Sequence, residues 1–159
     1  MYHTKHKNTL FIYYSFFISL IFQTIPWPLQ LYSLKPSWMK LILIYWITID
    51  HKKINIGTSF LLGLITDLIL GSTLGIHSLV FSMLAYFIVF YLQPLHNLII
   101  YKQIFIIMLL SLITKTIIII IDMLINNILF RPEIFLGSVI DGLLWPWFSL
   151  LMNNLKKLL

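Results

Sequence analysis

Cysteine is absent from the 159 residues, which excludes disulfides, thiolate metal sites and a cysteine nucleophile. Alanine occurs once, at Ala85, and valine three times, against 29 isoleucines. With abundant Asn, Lys, Tyr and Phe, this bias reads as drift in an AT-rich genome rather than a demand of function. Charge is scarce too. Only 10% of the residues are charged, whereas a soluble domain carries about 25% and needs them to wet its surface. No polar stretch is long enough for a separate soluble domain. The net charge of +6 comes from basic residues placed singly or in pairs among apolar runs, so no basic face for nucleic acid can be built. The histidines at 3, 6, 51, 77 and 96 are spread over predicted loops and an N-terminal tail. They fall at different predicted depths, with His77 outside and His51 and His96 inside. No catalytic constellation, cofactor site or metal site follows from them.

What remains is hydrophobic: 60% of the residues, at a mean hydropathy of +0.94. The prediction is an all-α polytopic membrane protein, one transmembrane domain over 1–159. A spanning helix needs about 20 apolar residues, fewer when shielded by neighbours. Six spans are predicted, over 9–27, 38–49, 56–70, 74–92, 103–125 and 134–152. The first has the charge-then-apolar order of a signal peptide, but its run is too long and lacks a small-residue cleavage site. It is read as a retained helix. Six spans put both termini on one side. With the N-terminus inside, Lys5, Lys7, Lys52, Lys53, Lys102, Lys156 and Lys157 are cytoplasmic, against Lys35, Lys40 and Arg131 outside. The positive-inside rule therefore favours N-in and C-in.

Asp67 is the costliest residue of this plan, because an ionised carboxylate in a bilayer costs about 3 kcal/mol or more. It lies in GTSFLLGLITDLILGSTLG (57–75), with Gly63, Gly71 and Gly75 at steps of four. If the helix runs that far, these residues form one stripe that admits a close neighbour; the simpler reading of Gly71–Gly75 is the tight outer connection between the third and fourth spans. Helical rise places Asp67 about 15 Å from the start of its span and Lys115 about 18 Å along its own. Both depths are near the midplane, so the two are paired as a hypothesis. The alternative has Lys115 reaching for the interface and Asp67 protonated or bonded to Thr58, Thr66 or Ser72. Asp141, beside Gly142, is assigned to helix packing. Arg131, Pro132 and Glu133 form a predicted outer loop, either a partner contact or a local ion pair. Trp145, Pro146 and Trp147 lie about 18 Å into the sixth span, where a kink would expose rings to a partner helix or to lipid.

At this point the segments IPWP (25–28), KPSWMKLILIYW (35–46), NIGTSFLLGLITDLILGSTLGIHSL (55–79), FRPEIF (130–135) and DGLLWPW (141–147) carry a resemblance. The chain resembles the MreD family of rod shape-determining membrane proteins over essentially its whole length. The FRPE and LWPW pieces resemble its gammaproteobacterial branch. The resemblance implies a non-enzymatic scaffold subunit of the cell-elongation machinery in the bacterial inner membrane. Its implied partners are an MreC-like bitopic protein, MreB, RodA and a class B penicillin-binding protein. It also implies a fold similar to the substrate-binding subunits of energy-coupling-factor transporters. From that comes the rival reading, a small-molecule-binding subunit of a transporter with Asp67 in a polar cavity. The basic loops would sit on anionic lipid, and self-association is left open.

Overall fold

The computed structural model describes residues 2–26, 28, 34–92, 95, 97–126 and 135–158. Among the described residues there are six α-helices and no strand: α1 (Tyr2–Thr24), α2 (Trp38–Ile49), α3 (Ile56–Leu70), α4 (Ile76–Tyr91), α5 (Ile100–Asn126) and α6 (Leu136–Leu158). The predicted bounds of the second and third helices coincide with α2 and α3. The others shift, most at the start of α1, which begins at Tyr2 instead of 9, and at the end of α6, which continues through Pro146 to Leu158 instead of stopping at 152.

The bundle is organised around α2. Every residue from Met39 to Ile47 is buried, so this helix has no outer face. A helix that is apolar all round belongs inside a bundle. At about 18 Å it is also too short to cross a hydrocarbon core of about 30 Å unaided. It packs on α1, α4 and α6, while α3 pairs with α4 and α5 with α6 as adjacent hairpins. Side-chain bonds fix the central helix to its neighbours: Trp46 Nε1 donates to Ser15 Oγ at 2.8 Å and Tyr45 Oη to Asn153 Oδ1 at 2.8 Å.

The α3–α4 hairpin follows from its local sequence. Asn55 opens α3 with a reciprocal capping box: its side chain accepts from Thr58 N, and Thr58 Oγ1 accepts from Asn55 N. Two orphan backbone donors are thereby satisfied. Gly71 closes the helix in the left-handed region at φ 64°, its N–H on the Asp67 carbonyl. Gly75, at φ 107°, turns the chain into α4. Gly63 has a different task. A Cβ there would lie 2.2 Å from Ser78 Cα and 2.5 Å from Ser78 N, so the two backbones touch at this point. The predicted glycine stripe is thus divided. Gly63 packs against α4, whereas a Cβ on Gly71 or Gly75 would meet nothing within 4 Å. Those two glycines make the turn, because the helix ends at Leu70 before the stripe is complete.

The surface of the bundle differs from that of a water-soluble protein. Lys40, Ser59, Thr66, Asp67, Ser78, Ser111 and Asp141 are buried, while Leu68, Phe90, Leu124 and Leu143 are each more than 60% exposed. An apolar surface this extensive is not wetted by water. By length and composition, Ile100–Ile125 is long and apolar enough to cross a membrane; the apolar helices before it are shorter.

Gly63→Ala is expected to force α3 and α4 apart and to cost about 1–3 kcal/mol, the range for overpacking a tight contact. Gly57→Ala meets only Asn55 Oδ1 at 3.4 Å and is expected to be neutral or to stabilise by up to about 1 kcal/mol. Reversible unfolding in detergent, followed by loss of helical circular dichroism, measures both.

Candidate functional site

Two buried polar clusters face each other at one end of the bundle. The first closes the α3–α4 hairpin. Asp67, fully buried, sits in the last turn of α3, not midway along it. A carboxylate at a helix C-terminus opposes that helix's dipole, but this one points at the start of α4. Its oxygens accept from Gly75 N at 2.9 Å, His77 N at 3.2 Å and Ser72 Oγ at 2.9 Å. His77 Nδ1 lies 2.7 Å from Oδ1; with the carboxylate ionised, Nδ1 carries the proton of that bond. Asp67 thereby satisfies orphan N–H groups of the next helix in the manner of an N-cap.

The expected pairing of Asp67 with Lys115 does not form. His77 takes that place, since it lies in the first turn of α4, directly across the Gly71–Gly75 turn, and not in an outer loop. The alternative bond from Ser72 is present.

The second cluster surrounds Asp141. Its Oδ2 is 3.0 Å from Lys40 Nζ and 3.7 Å from Lys115 Nζ. Ser111 Oγ donates to Oδ2, and Ser37 N donates to Oδ1 at 2.8 Å. Lys40 Nζ also donates to Ser111 Oγ at 2.5 Å and to Thr114 Oγ1 at 3.4 Å. One carboxylate therefore joins the start of α2, the middle of α5 and the start of α6. Lys40 is 3% exposed and Asp141 0%. A buried pair of this kind is tolerated only when its remaining donors and acceptors are matched. The two hydroxyls and the Ser37 amide supply that matching. Gly142 lets α6 come close enough: a Cβ there would be 3.2 Å from the Ile104 carbonyl oxygen.

Between the clusters lies a cavity of about 50 Å³ lined by Gln23, Lys40, Thr66, His77, Thr114 and Lys115, among others. Lys35 borders this end of the bundle from the loop. Its Nζ donates to the Gln23 and Ile25 carbonyls at the end of α1, a favourable place for a cation. Partial burial lowers the Lys35 pKa from the ordinary lysine value.

The aromatic–proline turn divides as well. Trp145 is fully buried and donates from Nε1 to Gln103 Oε1 at 2.9 Å, so it is a core residue and not a partner contact. Trp147 is 60% exposed and lines a lateral groove of about 260 Å³ with Phe11, Phe22, Trp38 and Leu151. Pro146 lies within α6, where it withholds the N–H that the Gly142 carbonyl would otherwise receive. Arg131, Pro132 and Glu133 lie outside the described residues. Lys40 and His77 were missed by sequence reasoning. Lys40 next to Trp38 looks like an interface anchor, and only the burial of α2 on every side reveals its task. His77 could have been found by pairing the end of α3 with the start of α4. Among the described residues no cluster of three or more His, Asp or Glu could hold a metal.

Residues 4–155 match the family described as MreD, rod shape-determining protein MreD. The chain is similar to the rod shape-determining protein MreD of Haemophilus influenzae, 40% identical over 142 residues, covering 89% of this chain and 88% of that relative. No solved structure matches the chain.

Removing one partner of a buried ion pair leaves the other uncompensated, whereas replacing the whole set by apolar groups does not. Asp141→Asn is therefore expected to cost about 3–5 kcal/mol. The triple substitution Lys40→Met, Lys115→Met, Asp141→Leu is expected to recover more than half of that loss. Unfolding of the single and triple variants in the same detergent measures the difference.

Proposed function

Since the chain belongs to the MreD family of rod shape-determining proteins, we propose that it is a non-enzymatic membrane scaffold of the cell-elongation complex. In this reading all six helices lie in the bacterial inner membrane as one domain, with both termini in the cytoplasm. The short α2 is shielded by its neighbours on every side. The scaffold holds an MreC-like bitopic protein and, with it, MreB, RodA and a class B penicillin-binding protein.

The apolar exterior carries this reading. The buried charges around Asp141 tie helix to helix, and the outward faces are apolar. Two apolar grooves are open on the flanks. One, of about 340 Å³, lies between α4 and α5 and is lined by Met83, Phe87, Phe105 and Ile113. The other is the groove beside Trp147. Surfaces of this kind suit helix-on-helix contact, which in lipid is driven by packing rather than by the hydrophobic effect. The rival, a transporter's ligand-binding subunit, calls for a polar cavity of drug-like size, about 300 Å³ or more. The polar cavity here is about 50 Å³. Exposed lysines such as Lys52 and Lys102 would contribute about 1 kcal/mol each against anionic lipid.

Two measurements test the proposal together. Cells depleted of their own MreD are expected to regain rod shape when this chain is expressed. An MreC-like protein is expected to be retained with it, at a fixed ratio, on purification in mild detergent. Round cells and no retention, alongside saturable binding of a vitamin-like ligand, would replace the scaffold with the rival.

A further inference from the structure

The cavity between the two polar clusters has a lining of one electrical sign. Lys40, Lys115 and His77 face it, together with Gln23, Ser37, Thr66 and Thr114; neither aspartate does. Both carboxylates lie behind these groups and are already engaged. Asp67 accepts from Ser72, Gly75 and His77. Asp141 accepts from Ser37, Ser111 and Lys40.

Lys115 is the poorly served member. Its ammonium has three donors and its side chain is 11% exposed, yet among the described residues its partner is Asp141 at 3.7 Å. Two ammoniums thus share one carboxylate in a space largely screened from water, and one positive charge lacks a counter-charge. Gln23 Oε1 is also buried with no hydrogen-bond partner, an acceptor that one water beside the ammonium would serve.

We propose that this cavity binds one small monovalent anion of the halide class. Lys115 supplies the charge and its free N–H donors, and Lys40, its own donors spent on Asp141, Ser111 and Thr114, adds the field of a second ammonium. Water alone would fill the space but would leave the charge unmatched. At about 50 Å³ the cavity has room for roughly two water-sized occupants. A halide with one water fits, and an organic anion such as gluconate does not. Occupancy would lock the starts of α2 and α4 against the middle of α5.

The full chain in nanodiscs of zwitterionic phosphatidylcholine, free of anionic lipid, provides the test. Gluconate is replaced by chloride or bromide at constant ionic strength, and melting is followed by helical circular dichroism. A saturable rise in Tm of about 3 °C is expected for the halides. It is absent in Lys115→Met and kept in Lys102→Met, which removes an exposed lysine. Chlorine-35 NMR on the unaltered chain gives a second measurement that needs no variant: excess line broadening by the protein, displaced by bromide. Equal melting in gluconate and chloride, a halide response that survives in Lys115→Met, or a chloride line that the protein does not broaden would each overturn the site.

Discussion

The contact between Lys40 and Asp141 is the constraint on which the rest of the bundle depends. In lipid an apolar helix gains little by choosing one apolar neighbour over another, because the acyl chains offer much the same contact. Leucines and isoleucines therefore do not fix which way α2 is turned or how far α6 slides along it. A buried ammonium and a buried carboxylate do, because each is costly anywhere except beside the other. At 3.0 Å, with Ser111 and the Ser37 amide filling the remaining positions, this pair sets the register of α2, α5 and α6 at once. Lys115 adds a second cation to the same carboxylate.

The Asp67–His77 contact does the corresponding work locally. It joins the end of α3 to the start of α4 across a turn made by two glycines with positive φ, while Gly63 presses the two helices together farther down. Both clusters lie at the same end of α2, α3, α4 and α6, so that end is polar inside and the flanks are apolar outside. For a scaffold this division is useful. Internal polar contacts hold a rigid frame, and the apolar flanks stay available for lateral partners.

Much of the frame was legible in the sequence, because helix existence follows from long apolar runs. The bounds of α2 were legible because Trp38 and the lysine pair at 52–53 bracket it, and the end of α3 because Gly71 follows it. The pairing of charges was not. Depth computed along single helices placed Asp67 and Lys115 at one level, but depth carries no information about which faces meet. Asp67 lies three residues from a helix end that the glycine pattern runs past, and its partner comes from the next helix. Lys40 was hidden for a different reason. A helix buried all round has no polar face against which a lone lysine stands out. Trp145 and Trp147, two residues apart, point to opposite environments, and only the packing of α5 against α6 distinguishes them.

The most direct test of the central contact is a double-mutant cycle between Lys40 and Asp141, with Lys40→Met, Asp141→Asn and their combination unfolded in lipid nanodiscs. If the pair sets the register of the bundle, the coupling lies at the upper end of the range for contacting residues, about 2 kcal/mol or more. A coupling below about 0.5 kcal/mol, the level seen for independent sites, would contradict it.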